Sequence, residues 1–202
     1  MKVALFGGSF DPIHNGHIAP VLEAKRQLDL DRVIYLPTAR PPHKPGRQFA
    51  TSHARWTMVE LALLSEPDLL VSPLELTPGE TAYTIDSVRH YRRLHSEDEL
   101  ILLIGGDSFA RFTSWRRWDE ILEAVRLAVL VRPGWELEGV RNRLDATLTE
   151  LVAAGRVDFV ENEPVGVSST RLRETFARGE RPPAEEVPAL VVEYIRKYSL
   201  YR

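Results

Sequence analysis

The sequence predicts an α/β fold, a Rossmann-like doubly wound parallel sheet finished by C-terminal helices. Three observations carry this reading. Several apolar runs of strand length, Val3–Phe6 the first of them, lack the polar alternation of a half-exposed strand, as strands buried on both faces do. Stretches with helical spacing alternate with these runs along the chain. A loop rich in glycine and histidine, residues 7–17, stands at the first strand-to-helix junction, where open α/β sheets bind ligands.

The elements follow in order. Val3-Ala4-Leu5-Phe6 reads as the first strand, and Ile18, Val21, Leu22 and Leu28 keep one apolar stripe of a helix behind it. Arg32–Leu36 reads as a second strand and Leu69–Ser72 as a short third. Leu100–Ile104 and Leu127–Val131 are two more, each ended by a turn containing Gly or Pro, and Val157–Val160 is a last one. Helices are expected over 52–65, 84–94, 115–124 and 136–153. The final segment carries Val187, Leu190, Val191, Tyr194, Ile195 and Tyr198 at helical spacing, with Pro188 suited to a first turn. It reads as a packing helix, its tyrosines as core or edge residues. No repeat or low-complexity linker interrupts the chain, so its 202 residues are read as one domain, an α/β core over 1–160 followed by a helical 161–202.

Composition narrows the function classes. With 44% apolar and 27% charged residues the chain is globular rather than disordered. A net charge of -3 and a pI near 6.1, with basic residues scattered rather than blocked, argue against nucleic acid as a partner. No run approaches the roughly 18 to 20 apolar residues of a membrane span, and the N-terminus enters a strand without a signal-peptide pattern, so the expected location is cytoplasmic. The absence of cysteine removes disulfides, thiolate catalysis and Cys-ligated zinc.

The loop Gly7-Gly8-Ser9-Phe10-Asp11-Pro12-Ile13-His14-Asn15-Gly16-His17 is the most informative stretch. Glycines there let backbone N–H groups approach a ligand, and the following helix start offers unpaired N–H groups and a partial positive charge to an anion. His14 and His17 bracket that start, and two imidazoles can donate hydrogen bonds to phosphate oxygens as charge grows on them. Taken singly, Gly-Gly is common turn geometry and a lone histidine is usually a surface or capping residue. The crowding of two glycines, an aromatic, a proline and two histidines is what sharpens the reading. It is not the three-glycine G-x-G-x-x-G of a dinucleotide site, nor does an acidic residue close the second strand, where Leu36-Pro37 stands.

Gly8-x-Phe10-x-Pro12-x-His14-x-Gly16-His17 resembles the G-x-F-x-P-x-H-x-G-H signature of the HxGH nucleotidyltransferase superfamily, and Val167-Ser168-Ser169-Thr170-x-x-Arg173 resembles its I/V-S-S-T-x-x-R motif. In that second motif Ser and Thr at a helix start set hydroxyls beside N–H groups, and Arg173 adds a fork of donors; alone it would read as an ordinary cap. Pro37-x-x-x-Pro41-Pro42-His43-Lys44 is similar to a stretch of the nicotinate-mononucleotide adenylyltransferases within that superfamily. The resemblance covers nearly the whole chain, including the closing helix from Val187-Pro188 to Leu200-Tyr201. It implies adenylyl transfer from ATP to nicotinate mononucleotide, giving nicotinate adenine dinucleotide and pyrophosphate, a step of NAD biosynthesis.

The same resemblance assigns residues. His14, His17, Lys44 and Arg173 are expected to stabilise charge on the phosphates, Lys44 as a compact cation. Gly7, Gly8, Ser9, Phe10, Gly16, Ser168, Ser169 and Thr170 are expected around ATP, with Gly105 and Asp107 at its ribose and Arg132 of Arg132-Pro133-Gly134 at its adenosine half. Ala82, Tyr83, Thr84, Trp115 and Arg116 are similar to the segments that hold the nicotinate ring, which would stack on Trp115 while backbone N–H groups near Tyr83 and Arg116 take its carboxylate. Trp118 keeps a helical core spacing with Ile121 and Leu122 and is passed over. The chain departs from the family in Gly106 and Ser108, where alanine or glutamine and asparagine are usual. Magnesium is expected as cofactor, held mainly by the ATP phosphates, since no carboxylate cluster resembles a cage and Asp11 alone lies nearby. Partners are then ATP and nicotinate mononucleotide; oligomeric state stays open, a homo-oligomer included. Transfer to phosphopantetheine or glycerol phosphate, and a non-catalytic nucleotide-binding module, are the alternatives.

Overall fold

A computed structural model describes residues 1–39, 49–76, 82–131, 144–163 and 165–202. The order is β1 (Lys2–Gly8), α1 (Asn15–Leu28), β2 (Arg32–Pro37), α2 (Ser52–Leu63), β3 (Leu69–Val71), α3 (Thr84–Leu94), β4 (Glu99–Gly105), α4 (Gly106–Phe109), a 3-10 turn (Phe112–Ser114), α5 (Trp118–Ala124), β5 (Arg126–Val131), α6 (Ala146–Ala153), β6 (Val157–Glu161), α7 (Ser169–Ala177) and α8 (Ala189–Lys197). The six strands form one sheet in the order β3-β2-β1-β4-β5-β6. β1 lies parallel to β4 with Lys2 opposite Glu99 and Phe6 opposite Leu103, and β4–β5 and β5–β6 are parallel too. Between β1 and β4 the winding reverses, which makes their carboxyl ends the place for a ligand. The expected doubly wound parallel sheet is therefore what forms.

Burial explains why these strands are continuously apolar. Val3, Ala4 and Leu5 in β1 and Leu100 to Ile104 in β4 are buried, as strands covered on both faces must be. The chain gathers into two compact units. One holds 1–7, 20–33 and 83–164, and in it α3 packs on α5. The other holds 8–19, 34–82 and 165–202, and in it α2 packs on α8.

Several boundaries differ from the sequence reading, each for a local reason. The helix expected over 115–124 begins at Trp118, because Arg117 takes a left-handed conformation at φ 55 that no helix continues through. Of the helix expected over 136–153, residues 136–143 lie outside the described residues; the rest begins at Ala146, where the Asp145 carboxylate caps the Leu148 N–H at 2.8 Å. The helix over 52–65 stops at Leu63, and Thr51 caps its start. The closing helix does not run to Tyr201: Pro188 is its cap rather than part of its first turn, it ends at Lys197, and Ser199 and Tyr201 both have positive φ. In α1 the buried stripe is Ile18, Val21 and Ala24, with Leu22 and Leu28 only half-buried. Of the closing tyrosines, expected as core or edge residues, Tyr198 is exposed.

Candidate active site

In the second unit the histidine loop is held by groups far apart in sequence. Phe10 takes φ 44, a left-handed conformation unusual for an aromatic, and its buried ring packs edge-on to His17 at 5.3 Å and against Tyr35 at 5.6 Å. These two ring contacts hold the backbone where its own preference would not. The Tyr35 hydroxyl donates to the His17 carbonyl at 3.1 Å, and burial pushes its pKa up, so it stays a donor. His17 N–H donates to the His14 carbonyl at 2.7 Å, and the two imidazoles stack with centroids 3.8 Å apart and planes 29° from parallel. His14 is buried and His17 half-buried.

Gly16 is glycine for space. A Cβ there would lie 3.0 Å from His14 Nδ1 and 3.1 Å from Val167 Cγ1, so a methyl group would push on the histidine. At Gly8 a Cβ would fall 2.7 Å from the Phe10 ring.

Residues 165–202 clasp this loop. Asn15 donates from its backbone N to the Glu186 carbonyl at 2.9 Å and from Nδ2 to the Glu185 carbonyl at 2.8 Å. Ser169 Oγ donates to the Pro12 carbonyl at 3.1 Å, and Arg173 Nη1 to the Asp11 carbonyl at 2.6 Å. Arg173 Nη2 donates to Thr170 Oγ1 at 3.0 Å. Ser168 caps α7, accepting from Arg171 N at 3.3 Å, so the Ser168-Ser169-Thr170 motif opens the helix as an ordinary cap does. His14, His17, Gly8, Phe10, Gly16, Ser169, Thr170 and Arg173 are thus brought into one cluster.

Two residues of this cluster escaped sequence reading. Arg55 is buried, and its guanidinium donates to four backbone carbonyls: Ser9 at 2.6 Å and Thr38 at 2.8 Å from Nη1, Ala39 at 3.0 Å from Nη2 and Ala50 at 3.0 Å from Nε. Its signal was present, because Arg55 shares the buried stripe of α2 with Met58, Val59 and Leu63. Asp11, buried, accepts at Oδ1 from Ala50 N at 3.1 Å and from the Tyr201 hydroxyl at 2.9 Å. Tyr201 follows the end of α8, and nothing in its neighbours announces the contact.

Apart from Ala82, which ends a segment of the second unit, the remaining described candidates lie in the first. Gly7 is the penultimate residue of β1 and Gly105 the last of β4, and a Cβ on either would meet nothing within 4 Å. Asp107 stands exposed in the first turn of α4. Tyr83 caps α3 without a side-chain bond, which leaves the N–H groups of that helix start to other partners, and Ala82 and Thr84 flank it. The Arg116 guanidinium lies over the Tyr83 ring at 4.7 Å. Trp115, outside α5 and half-buried, packs against Phe112 at 5.3 Å, whereas Trp118 belongs to α5. Lys44, His43 and Arg132 lie outside the described residues.

Comparison with known proteins decides the family. Residues 5–175 match the cytidylyltransferase-like family. A protein of Solibacter usitatus is 39% identical over 202 residues, covering 100% of both chains, and one of Corynebacterium jeikeium is 37% identical over 195 residues, covering 96% of this chain and 98% of its own. Both are named "Probable nicotinate-nucleotide adenylyltransferase". The chain belongs to the nicotinate-nucleotide adenylyltransferase family. Its fold is that of the Plasmodium falciparum nicotinic acid mononucleotide adenylyltransferase, solved with APC and with NaAD, at a TM-score of 0.73 in both and 16% and 17% identity; the match covers 99% of this chain and 96% and 97% of those. A nicotinate-nucleotide adenylyltransferase is a nucleotidyltransferase, the class to which the histidine loop points.

Proposed function

We propose that the protein transfers the adenylyl group of ATP to nicotinate mononucleotide, forming nicotinate adenine dinucleotide and releasing pyrophosphate. The 5'-phosphate of the mononucleotide attacks the α-phosphorus of ATP in line, the bond from that phosphorus to the β-phosphate oxygen breaks, and no covalent enzyme intermediate is needed. The attacking group is already an anion, so the protein's work is positioning and charge stabilisation.

The observation that carries this reading is the stacked His14–His17 pair at 3.8 Å, on the loop that α7 binds through Ser169 and Arg173. His14, His17, Lys44 and Arg173 are assigned to the phosphates. Gly7 and Gly105 leave room for the nucleotide beyond the strand ends, with Asp107 at the ribose and Arg132 at the adenosine half. Trp115 is assigned to the nicotinate ring, and the α3 start at Tyr83 and Thr84, with Arg116, to its carboxylate. Magnesium is assigned to the triphosphate oxygens: among the described residues no group of three or more His, Asp or Glu side chains could cage it, and both Asp11 oxygens already face protein groups. Bound there, it would neutralise phosphate charge. Among the described residues no helix is long and apolar enough to cross a membrane, which supports a cytoplasmic site of action.

The test is pyrophosphate release from ATP and magnesium with nicotinate mononucleotide, nicotinamide mononucleotide and phosphopantetheine offered in parallel. Release with the first, with the dinucleotide as product, is the expected outcome. Release only with another acceptor would keep the phosphate assignments and reject those of Tyr83 and Trp115; ATP binding without release would favour a non-catalytic module.

A further inference from the structure

Four groups gather around the buried Asp11, and of these Arg173 alone has been assigned to the reaction. Asp11 is 1% exposed. Its Oδ1 takes two donors, the Ala50 N–H at 3.1 Å and the Tyr201 hydroxyl at 2.9 Å. Two donors on one oxygen fix the rotation of the carboxylate, and that rotation aims Oδ2 at Arg173, 3.8 Å from Nη1. The same Nη1 donates to the Asp11 backbone carbonyl at 2.6 Å, while Nη2 is held by Thr170. Arg173 is therefore held by a hydrogen bond to the Asp11 main chain with the Asp11 carboxylate at ion-pair distance, and that carboxylate is oriented by Tyr201. Nearby, the Arg55 guanidinium, bonded to the Ser9 and Ala50 carbonyls, adds a second positive charge that attracts the Asp11 carboxylate. Tyr201 is suited to this task. Burial, and next the Asp11 charge, push its pKa up, so the hydroxyl keeps its proton, and its ring lies stacked on Phe176 of α7 at 6.3 Å, the helix that carries Arg173.

We propose that Tyr201 is a positioning residue: its hydroxyl locks the Asp11 carboxylate, which holds the Arg173 fork at the angle that meets the ATP phosphates. The inference rests on the assignment of Arg173 to those phosphates. A side chain beyond the last helix thereby sets the reactivity of a loop at the other end of the sequence.

Tyr201→Phe tests it, because the phenyl ring keeps the stack on Phe176 and only the hydroxyl is lost. The expected result is a kcat lowered about tenfold, the usual worth of one hydrogen bond to a charged group, with KM for nicotinate mononucleotide within twofold of wild type. The Kd for ATP, measured by calorimetry without any acceptor, should weaken several-fold. Asp11→Asn should give a similar loss, and the double variant should be no worse than the poorer single one, because the two residues act in series. A purely structural role would instead lower the thermal midpoint and leave kcat and Kd at 25 °C unchanged; that result, or losses that multiply in the double variant, overturns the proposal. If wild-type protein makes no dinucleotide, the acceptor reading has failed, and the ATP Kd of Tyr201→Phe still decides this one.

Discussion

His17 is where the chemistry is most directly testable. Its ring stacks on His14 and its backbone is pinned by Tyr35, so His17→Ala removes an imidazole without freeing the loop. Turnover should fall by about 100-fold or more, as when an oxyanion donor is lost, and dinucleotide formation measured at saturating substrates reads it. Gly16→Ala should act indirectly. The added methyl would lie 3.0 Å from His14 Nδ1, and kcat should drop about tenfold or more as the histidine is displaced, with far-ultraviolet circular dichroism unchanged. The histidines and glycines were legible in the sequence because they stand at the spacing of the signature they resemble. Tyr201 was not, because its partner is 190 positions away and a tyrosine near a helix end has many ordinary uses. Arg55 was half-legible: a charged residue on an apolar stripe is a contradiction that a buried hydrogen-bond hub resolves.

Among elements, α2 contributes more than packing. Through Arg55 it ties together Ser9 of the histidine loop, Thr38 and Ala39 after β2, and Ala50 before its own start. Arg55→Met would leave four carbonyls without these donors and remove a positive charge near Asp11. Urea unfolding should show a loss of about 3 kcal/mol or more, of which Arg55→Lys, lacking the planar fork, recovers only part. On α1 the Glu23 carboxylate accepts from Arg26 and Gln27, and these bonds lower its pKa from 4.5 to about 2. A depressed carboxylate stabilises the fold above its unfolded value and loses that contribution as pH falls through the folded one. The stability gap between wild type and Glu23→Gln should therefore be full at neutral pH and close between about pH 5 and pH 2, followed by denaturant midpoints. Strand positions were legible because burial on both faces leaves an unbroken apolar run. Helix ends were less so, since Arg117 and Ser199 stop or delay a helix by backbone conformations that their side chains do not advertise.

At the scale of the molecule, the sheet order was legible only as a class. Alternation of strand and helix implies parallel winding, but the reversal between β1 and β4 becomes visible only when the strands pair. Ligand binding at that reversal should stabilise the folded state: ATP at 100 times its Kd adds about 2.7 kcal/mol, a rise of roughly 5 to 10 °C in thermal midpoint for a chain this long. Gly105, at the end of β4, bears on this in another way. At most buried positions a methyl group cannot be added without confusing folding with binding, but Gly105 has ordinary φ of -75 and vacant surroundings. Gly105→Ala should fold as well as wild type, or better by about 0.4 to 1 kcal/mol through a less flexible unfolded chain. A copy that is sturdier yet blind to ATP, its midpoint unmoved by nucleotide, would be a matched blank against which every other variant here can be read.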